Sequence, residues 1–93
     1  MAEPITREVR VMSPNGLHAR PSHGVVALSS EFDADIQLEC QGRVANARSI
    51  LSVMTLGAAH EDVLILSATG VQAEEALERL AIFFESAFEE GGA

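Results

Sequence analysis

Apolar and polar residues repeat along the chain with two different periods, and the switches between them lay out seven elements. Ile5-Thr6-Arg7-Glu8-Val9-Arg10-Val11 has apolar residues at 5, 9 and 11 and charges at 8 and 10. Apart from Arg7 this is period two, the pattern of a half-buried strand. Ser13-Pro14-Asn15-Gly16 is turn chemistry. Val25, Val26, Ala27 and Leu28 suit a short helix from about Ala19 to Ser30, weakened by Gly24, with Phe32 following as a core anchor. Asp35–Cys40 alternates cleanly, Gln41-Gly42 is a tight turn and Arg43–Asn46 a short return strand, so the two predict a hairpin. Ser49–Leu56 reads as a two-turn helix closed by Gly57. The continuous apolar run in Asp62–Ala68 predicts a strand central in its sheet and covered on one face, after which Thr69-Gly70 turns. Residues 72–88 carry the strongest helical pattern. Ala73, Ala76, Leu77, Leu80, Phe84, Ala87 and Phe88 form one stripe, Glu74, Glu75, Glu78 and Glu85 stand opposite, and Glu75 and Arg79 have i,i+4 spacing.

The predicted order β-α-β-β-α-β-α belongs to the α+β class. It gives a two-layer open-faced β-sandwich: a four-stranded antiparallel sheet, three helices on one face, and the other face open to water. A chain of 93 residues is expected to form a single domain over 1–93, with one modest core and no deep substrate chamber. The 47% hydrophobic and 22% charged content is that of a globular domain, not a disordered chain. No apolar run is long enough to insert in a membrane, and the first residues lack the basic start and apolar stretch of a signal peptide, so a cytoplasmic location is expected. Cys40 stands alone, which excludes an internal disulfide and a multi-cysteine metal site.

Charge narrows the choice of function. All 6 basic residues are arginine, against 14 acids, for a net charge of -8. From Glu61 onward only Arg79 interrupts the acids. That balance argues against nucleic-acid binding and places any anion chemistry in the first two-thirds of the chain. No HExxH-like arrangement, G-x-S-x-G elbow or P-loop is present, so no metal, nucleotide or other cofactor is expected. His60, in Ala59-His60-Glu61-Asp62, reads as a solvated loop residue.

One segment carries chemistry: Asn15-Gly16-Leu17-His18-Ala19-Arg20-Pro21. Asn15-Gly16 turns the chain, and Pro21 suits the first turn of the following helix because its missing N–H costs nothing there. His18 then falls at or beside the helix start, where unpaired amides and the macrodipole favour an anion. Imidazole is a competent nucleophile toward phosphorus, and the Arg20 guanidinium fits phosphate oxygens. Two readings stand at this point: a transient phosphoryl site, or a capping histidine beside a solvated arginine. Arg20 precedes Pro21, which disfavours the α region and predicts a departure from a regular first turn.

This segment resembles the phosphohistidine signature of the HPr family, phosphocarriers of the bacterial phosphoenolpyruvate-dependent phosphotransferase system. Asn46-Ala47-Arg48-Ser49-Ile50-Leu51-Ser52-Val53-Met54-Thr55-Leu56-Gly57 looks like the family's regulatory serine segment. The separation of the two motifs and the order of elements match as well, from about residue 5 to 88. The resemblance implies that His18 is phosphorylated on Nδ1 by enzyme I and dephosphorylated by a IIA domain, with Arg20 stabilising the phosphate. It implies that Ser49 is the target of an ATP-dependent HPr kinase/phosphorylase, and that Ile50, Leu51 and Met54 dock against partners. Arg20, Arg43 and Arg48 must supply the basic rim that is commonly lysine-rich in the family. His23 departs from the signature and reads as a surface residue more readily than as a second acceptor. The acidic C-terminal part looks somewhat like the nitrogen-related branch, NPr, whereas the serine segment looks like the HPr type.

Ser49 also has a plain structural role, since serine is a favoured N-cap. A short amphipathic helix buries one stripe, and Val53 with Leu56 or Ala47 can fill it, which leaves Ile50, Leu51 and Met54 partly outside as a docking surface. The favoured function is a monomeric phosphoryl carrier with no turnover of its own. The alternative is a non-transferring regulatory domain controlled through Ser49. A phosphatase is disfavoured for want of a general acid and an enclosed pocket.

Overall fold

The alternation of Asp35–Cys40 is realised residue by residue: Ile36, Leu38 and Cys40 are buried, and Asp35, Gln37 and Glu39 are exposed. In the computed structural model, which describes residues 3–17 and 19–86, the elements are β1 (Ile5–Arg10), α1 (Ala19–Ser29), β2 (Asp35–Cys40), β3 (Arg43–Asn46), α2 (Ile50–Thr55), β4 (Val63–Thr69) and α3 (Ala73–Glu85). The expected βαββαβα order and the open-faced α+β architecture are both present. Ala87 and Phe88, predicted to extend the last helix, lie outside the described residues.

The sheet order is β1-β4-β2-β3, with every pair antiparallel. β4 is central because its inner residues Leu64, Leu66 and Ala68 are apolar and buried, while its outer positions Ile65, Ser67 and Thr69 stay half-buried. Leu66 lies opposite Leu38 of β2 and Arg7 of β1, and Leu64 lies opposite Val9. The β2–β3 hairpin closes through Gln41 and Gly42, both at positive φ (53° and 85°), the geometry of the two-residue turn that matches strand twist.

The helices cover one face of the sheet. α3 packs over β1 and β4, α2 against β3, and α1 against both α2 and α3. Ala76, Leu77, Leu80, Ala81 and Phe84 of α3 are buried, with Glu74, Glu75, Glu78 and Glu85 outside. Glu75 accepts a 3.3 Å hydrogen bond from the Gln72 amide. The core joins Phe84 to Leu38, Leu64, Leu66, Val25, Val53 and Leu56. On the uncovered face, Thr6, Glu8 and Arg10 of β1 and Asp35, Gln37 and Glu39 of β2 meet solvent.

One prediction fails at the start of β1. Ile5 is 39% exposed and only Val9 of the strand is buried. Ile5 and Arg7 line an open hollow with Ala73, Glu74 and Leu77, so the first turn of α3 stands over this end of the strand without closing on it.

Candidate functional site

The segment ahead of α1 is fastened to the chain that follows α2. Gly16 donates to the Ser13 carbonyl (3.0 Å) and closes the Ser13–Gly16 turn. At φ 70° it lies so close to residues 58 and 59 that a Cβ would sit 2.4 Å from the Ala58 carbonyl oxygen and 2.9 Å from Ala59 Cα. Only glycine meets both demands. The Leu17 amide donates to that same Ala58 oxygen at 3.0 Å. Leu17 is buried, and its own carbonyl accepts from the buried Ser22 hydroxyl at 3.3 Å, which ties it to the first turns of α1.

His18 lies outside the described residues. The residues on either side of it are placed: Leu17 is in the core, and Ala19 and Arg20 are exposed on the first turn of α1. Pro21 is buried in that turn, as its chemistry suggests. Contrary to expectation, Arg20 is helical although it precedes a proline, because α1 starts at Ala19. His23 is exposed one turn after Ala19 on the same side of the helix, and His60 is exposed in its loop.

The loop before β4, read from sequence as a solvated connection, has its own internal order. The Asp62 carboxylate accepts the Ala59 amide at 2.8 Å, and the Asp62 amide donates to the Ala59 carbonyl at 2.9 Å. The Asp62 carbonyl accepts from Val11 (3.0 Å), and the Glu61 amide donates to the Val11 carbonyl (2.6 Å). Glu61 is held at φ 73°, a left-handed conformation uncommon for a residue with a side chain. The Arg10 guanidinium reaches its carbonyl at 3.4 Å. Behind this loop the buried Cys40 thiol points at the Asp62 carboxylate, 4.0 Å away. Burial first, and then the Asp62 charge, push the thiol above its ordinary 9.0, while Arg43 pulls it down.

α2 presents the apolar surface that the periodicity predicts. Val53 and the flanking Ala47 and Leu56 are buried, whereas Leu51 is 74% exposed, Ile50 37% and Met54 39%. Ser49 is the N-cap: its hydroxyl accepts the Ser52 amide at 3.2 Å. The helix is closed by Gly57 at φ 68°. Arg43 of the hairpin stands at this C-terminal end, 3.6 Å from where a Gly57 Cβ would lie, and its charge there complements the helix dipole. Ala58, the acceptor for Leu17, follows directly. The C-terminal end of α2 therefore abuts the start of α1, and Ser49 stands roughly 10 Å further along the helix axis. Arg48 is exposed, but one guanidinium nitrogen is committed to the Phe32 carbonyl at 2.7 Å, so it also braces the connection between α1 and β2.

Among the described residues no group of three or more His, Cys, Asp or Glu side chains is arranged to hold a metal, and no helix is long and apolar enough to cross a membrane. Sequence reasoning missed Asp62 and Ser22. Their roles depend on contacts across the fold, and the one local signal was the Ala-x-x-Asp spacing of the loop.

Residues 5–86 match the family model described as the PTS HPr component phosphorylation site. Over 79 residues the chain is 38% identical to a phosphocarrier protein HPr of Vibrio cholerae, covering 85% of this chain and 93% of that one. Its structure is similar to that of the phosphocarrier protein HPr from Bacillus anthracis, with a TM-score of 0.84 at 37% identity, covering 87% of this chain and 96% of the other. It is also similar to Crh, the catabolite repression protein of Bacillus subtilis whose crystal structure is a swapped dimer (TM-score 0.73, 34% identity, 89% and 95% covered).

Proposed function

Because the chain belongs to the HPr family of phosphotransferase-system phosphocarriers, we propose that its His18 accepts a phosphoryl group from phospho-enzyme I and passes it to a IIA domain. In this step the donor's bond to phosphorus breaks as an imidazole lone pair of His18 forms the new P–N bond, and no water is consumed. The observation that carries this reading is the join between α1 and α2. The exposed first turn with Arg20 abuts the end of a helix whose Leu51 and Met54 are open to solvent, which supports an anion site beside an apolar docking surface. Arg20 offers a guanidinium to the phosphate oxygens, and the N-terminal amides of α1 favour the same charge.

Ile50, Leu51 and Met54 dock the partners, with Arg20, Arg43 and Arg48 steering them. The Ser49 cap is the site of regulatory phosphorylation, at the far end of the docking helix. The protein works as a monomer in the cytoplasm, because one small exposed site must meet donor and acceptor in turn through interfaces near ~1,200 Å² in total. Sedimentation at micromolar concentration tests this: a stable dimer of the kind seen for Crh overturns it.

Incubation with phosphoenolpyruvate and enzyme I, followed by intact-mass measurement before and after acid treatment, tests the acceptor. One acid-labile phosphate is expected, absent in His18→Ala and retained in His23→Ala and His60→Ala. An acid-stable phosphate, or labelling of His18→Ala, defeats the assignment. No labelling at all returns the chain to the regulatory reading centred on Ser49.

A further inference from the structure

Leu17, the residue ahead of His18, takes its position from the other side of the fold. The Leu17 amide has one backbone acceptor, the Ala58 oxygen at 3.0 Å. Gly16 rests on the same carbonyl so closely that no side chain fits between them. The placement of Leu17 therefore follows the placement of residues 58 and 59. That pair is not part of α2, which ends at Thr55, nor of β4, which begins at Val63. What orders it is Asp62, through the reciprocal 2.8 and 2.9 Å bonds with Ala59.

Asp62 is itself anchored on two sides. Its carbonyl and the Glu61 amide pair with Val11, just past the end of β1, and its carboxylate faces the Cys40 thiol of β2. Shifting its oxygens shifts Ala59, then the Ala58 carbonyl, then Leu17. Ser22 completes the chain of contacts, because its hydroxyl holds the Leu17 carbonyl from within α1. Leu17 is thus held by the Asp62 loop and by Ser22, and Ala19 by the α1 helix that it starts.

We propose that Asp62 is a positioning residue for phosphoryl transfer, acting through Ala59 and the Ala58 carbonyl on Leu17. The inference rests on the reading of His18 as the phosphoryl acceptor. Asp62 touches neither phosphate nor partner in this role. Its contribution is to keep the nucleophile in the narrow range of approach that transfer requires, where misplacement by about an ångström is enough to slow a reaction strongly. Partner binding depends on α2 and the arginines and is left unchanged. A residue of purely structural importance would lower stability but leave the rate per folded molecule alone.

The test uses three substitutions in the full chain with phosphoenolpyruvate and enzyme I. Asp62→Asn keeps an oxygen that can accept the Ala59 amide, Asp62→Glu keeps the charge but displaces the oxygens, and Asp62→Ala removes both. Expected are kcat values within about twofold of wild type for Asn and reduced about 3- to 30-fold for Glu and Ala, with KM for the carrier within twofold throughout. If Ala fails to fold, the contrast between Asn and Glu decides. Amide hydrogen exchange read without any partner gives a second measure: the Leu17 N–H exchanges at least tenfold faster in Glu and Ala, relative to the amides of β4. Equal kcat in all four proteins, or a change confined to KM, overturns the proposal. Failure of wild type to be phosphorylated would count against the acceptor reading instead, and the Leu17 exchange result would still show whether Asp62 governs that position.

Discussion

Gly24 of α1 and Phe83 of α3 face each other so closely that a Cβ on Gly24 would lie 2.6 Å from the tip of the phenyl ring. The ring is held in turn by an edge-on contact with Phe84, 6.0 Å between centroids at 77°. The glycine that weakens α1 as a helix is therefore what lets α1 and α3 approach. Helix propensity alone would make Gly24→Ala stabilising by about 1 kcal/mol. Displacing the ring costs about 1–3 kcal/mol, so the net effect in the wild type is destabilising. In a Phe83→Ala background the same substitution should stabilise. Urea denaturation of the four proteins measures both signs, and a stabilising Gly24→Ala in the wild type would remove the packing argument.

Arg20 is exposed, and its expected contribution is to transfer, not to stability. Arg20→Ala should slow phosphorylation by enzyme I by about 10- to 100-fold, the loss of a charge-assisted hydrogen bond to phosphate. Its melting temperature should match wild type, as for most surface substitutions. A fall in stability with normal transfer would place Arg20 in the fold and outside the chemistry.

Ser49 caps α2 through the Ser52 amide, so Ser49→Ala should lose about 0.5–2 kcal/mol and still carry phosphate normally. Ser49→Asp keeps a cap acceptor and adds a negative charge that the helix dipole favours, so stability should hold or rise slightly. The same charge lies next to Arg48 on the rim of the exposed patch. Phosphorylation of His18 should then slow through a raised KM for enzyme I, with kcat little changed. Calorimetric binding of enzyme I checks the point directly: equal affinity for Ser49→Asp and wild type leaves Ser49 as a cap alone.

Cys40 gives the protein an alkaline limit. Burial and the Asp62 carboxylate raise its thiol above 9.0 in the folded state, so the folded protein keeps a proton that the unfolded chain releases. The stability tied to that proton is fully present below the unfolded value and is lost as pH rises through the folded one. Denaturation midpoints should therefore fall more steeply above about pH 8 in wild type than in Cys40→Ala. Parallel slopes would show that the thiol is not coupled to folding.

The elements were legible where one face decides the pattern. Asp35–Cys40 alternates because each inward residue joins the core, and the α3 stripe is regular because it covers two strands. The two turn glutamine–glycine and serine-cap signals are equally local. Ile5 misled, because β1 carries period two over a stretch that α3 does not close. The candidate site was legible as a motif and as an exposed apolar helix. Its support was not: Asp62 lies 45 positions from Leu17 in sequence, and nothing local marks Ala58 as the carbonyl that receives it. Gly24 likewise read as a flaw in a helix because its partner is on another element.

The order β1-β4-β2-β3 has a consequence for biosynthesis. β1 is an edge strand whose one neighbour is β4, so Ile5 waits for Ala68. A chain emerging from the ribosome can close the β2–β3 hairpin early, but β1 stays without its β4 partner until residues 63–69 have been made. Such long-range closure is slow by comparison with local pairing. The arms that brace the site, Val11 on Asp62 and Leu17 on Ala58, join the same distant parts of the chain. A nascent chain therefore cannot fix Leu17 at the start of α1 until the segment that leads into β4 has been made.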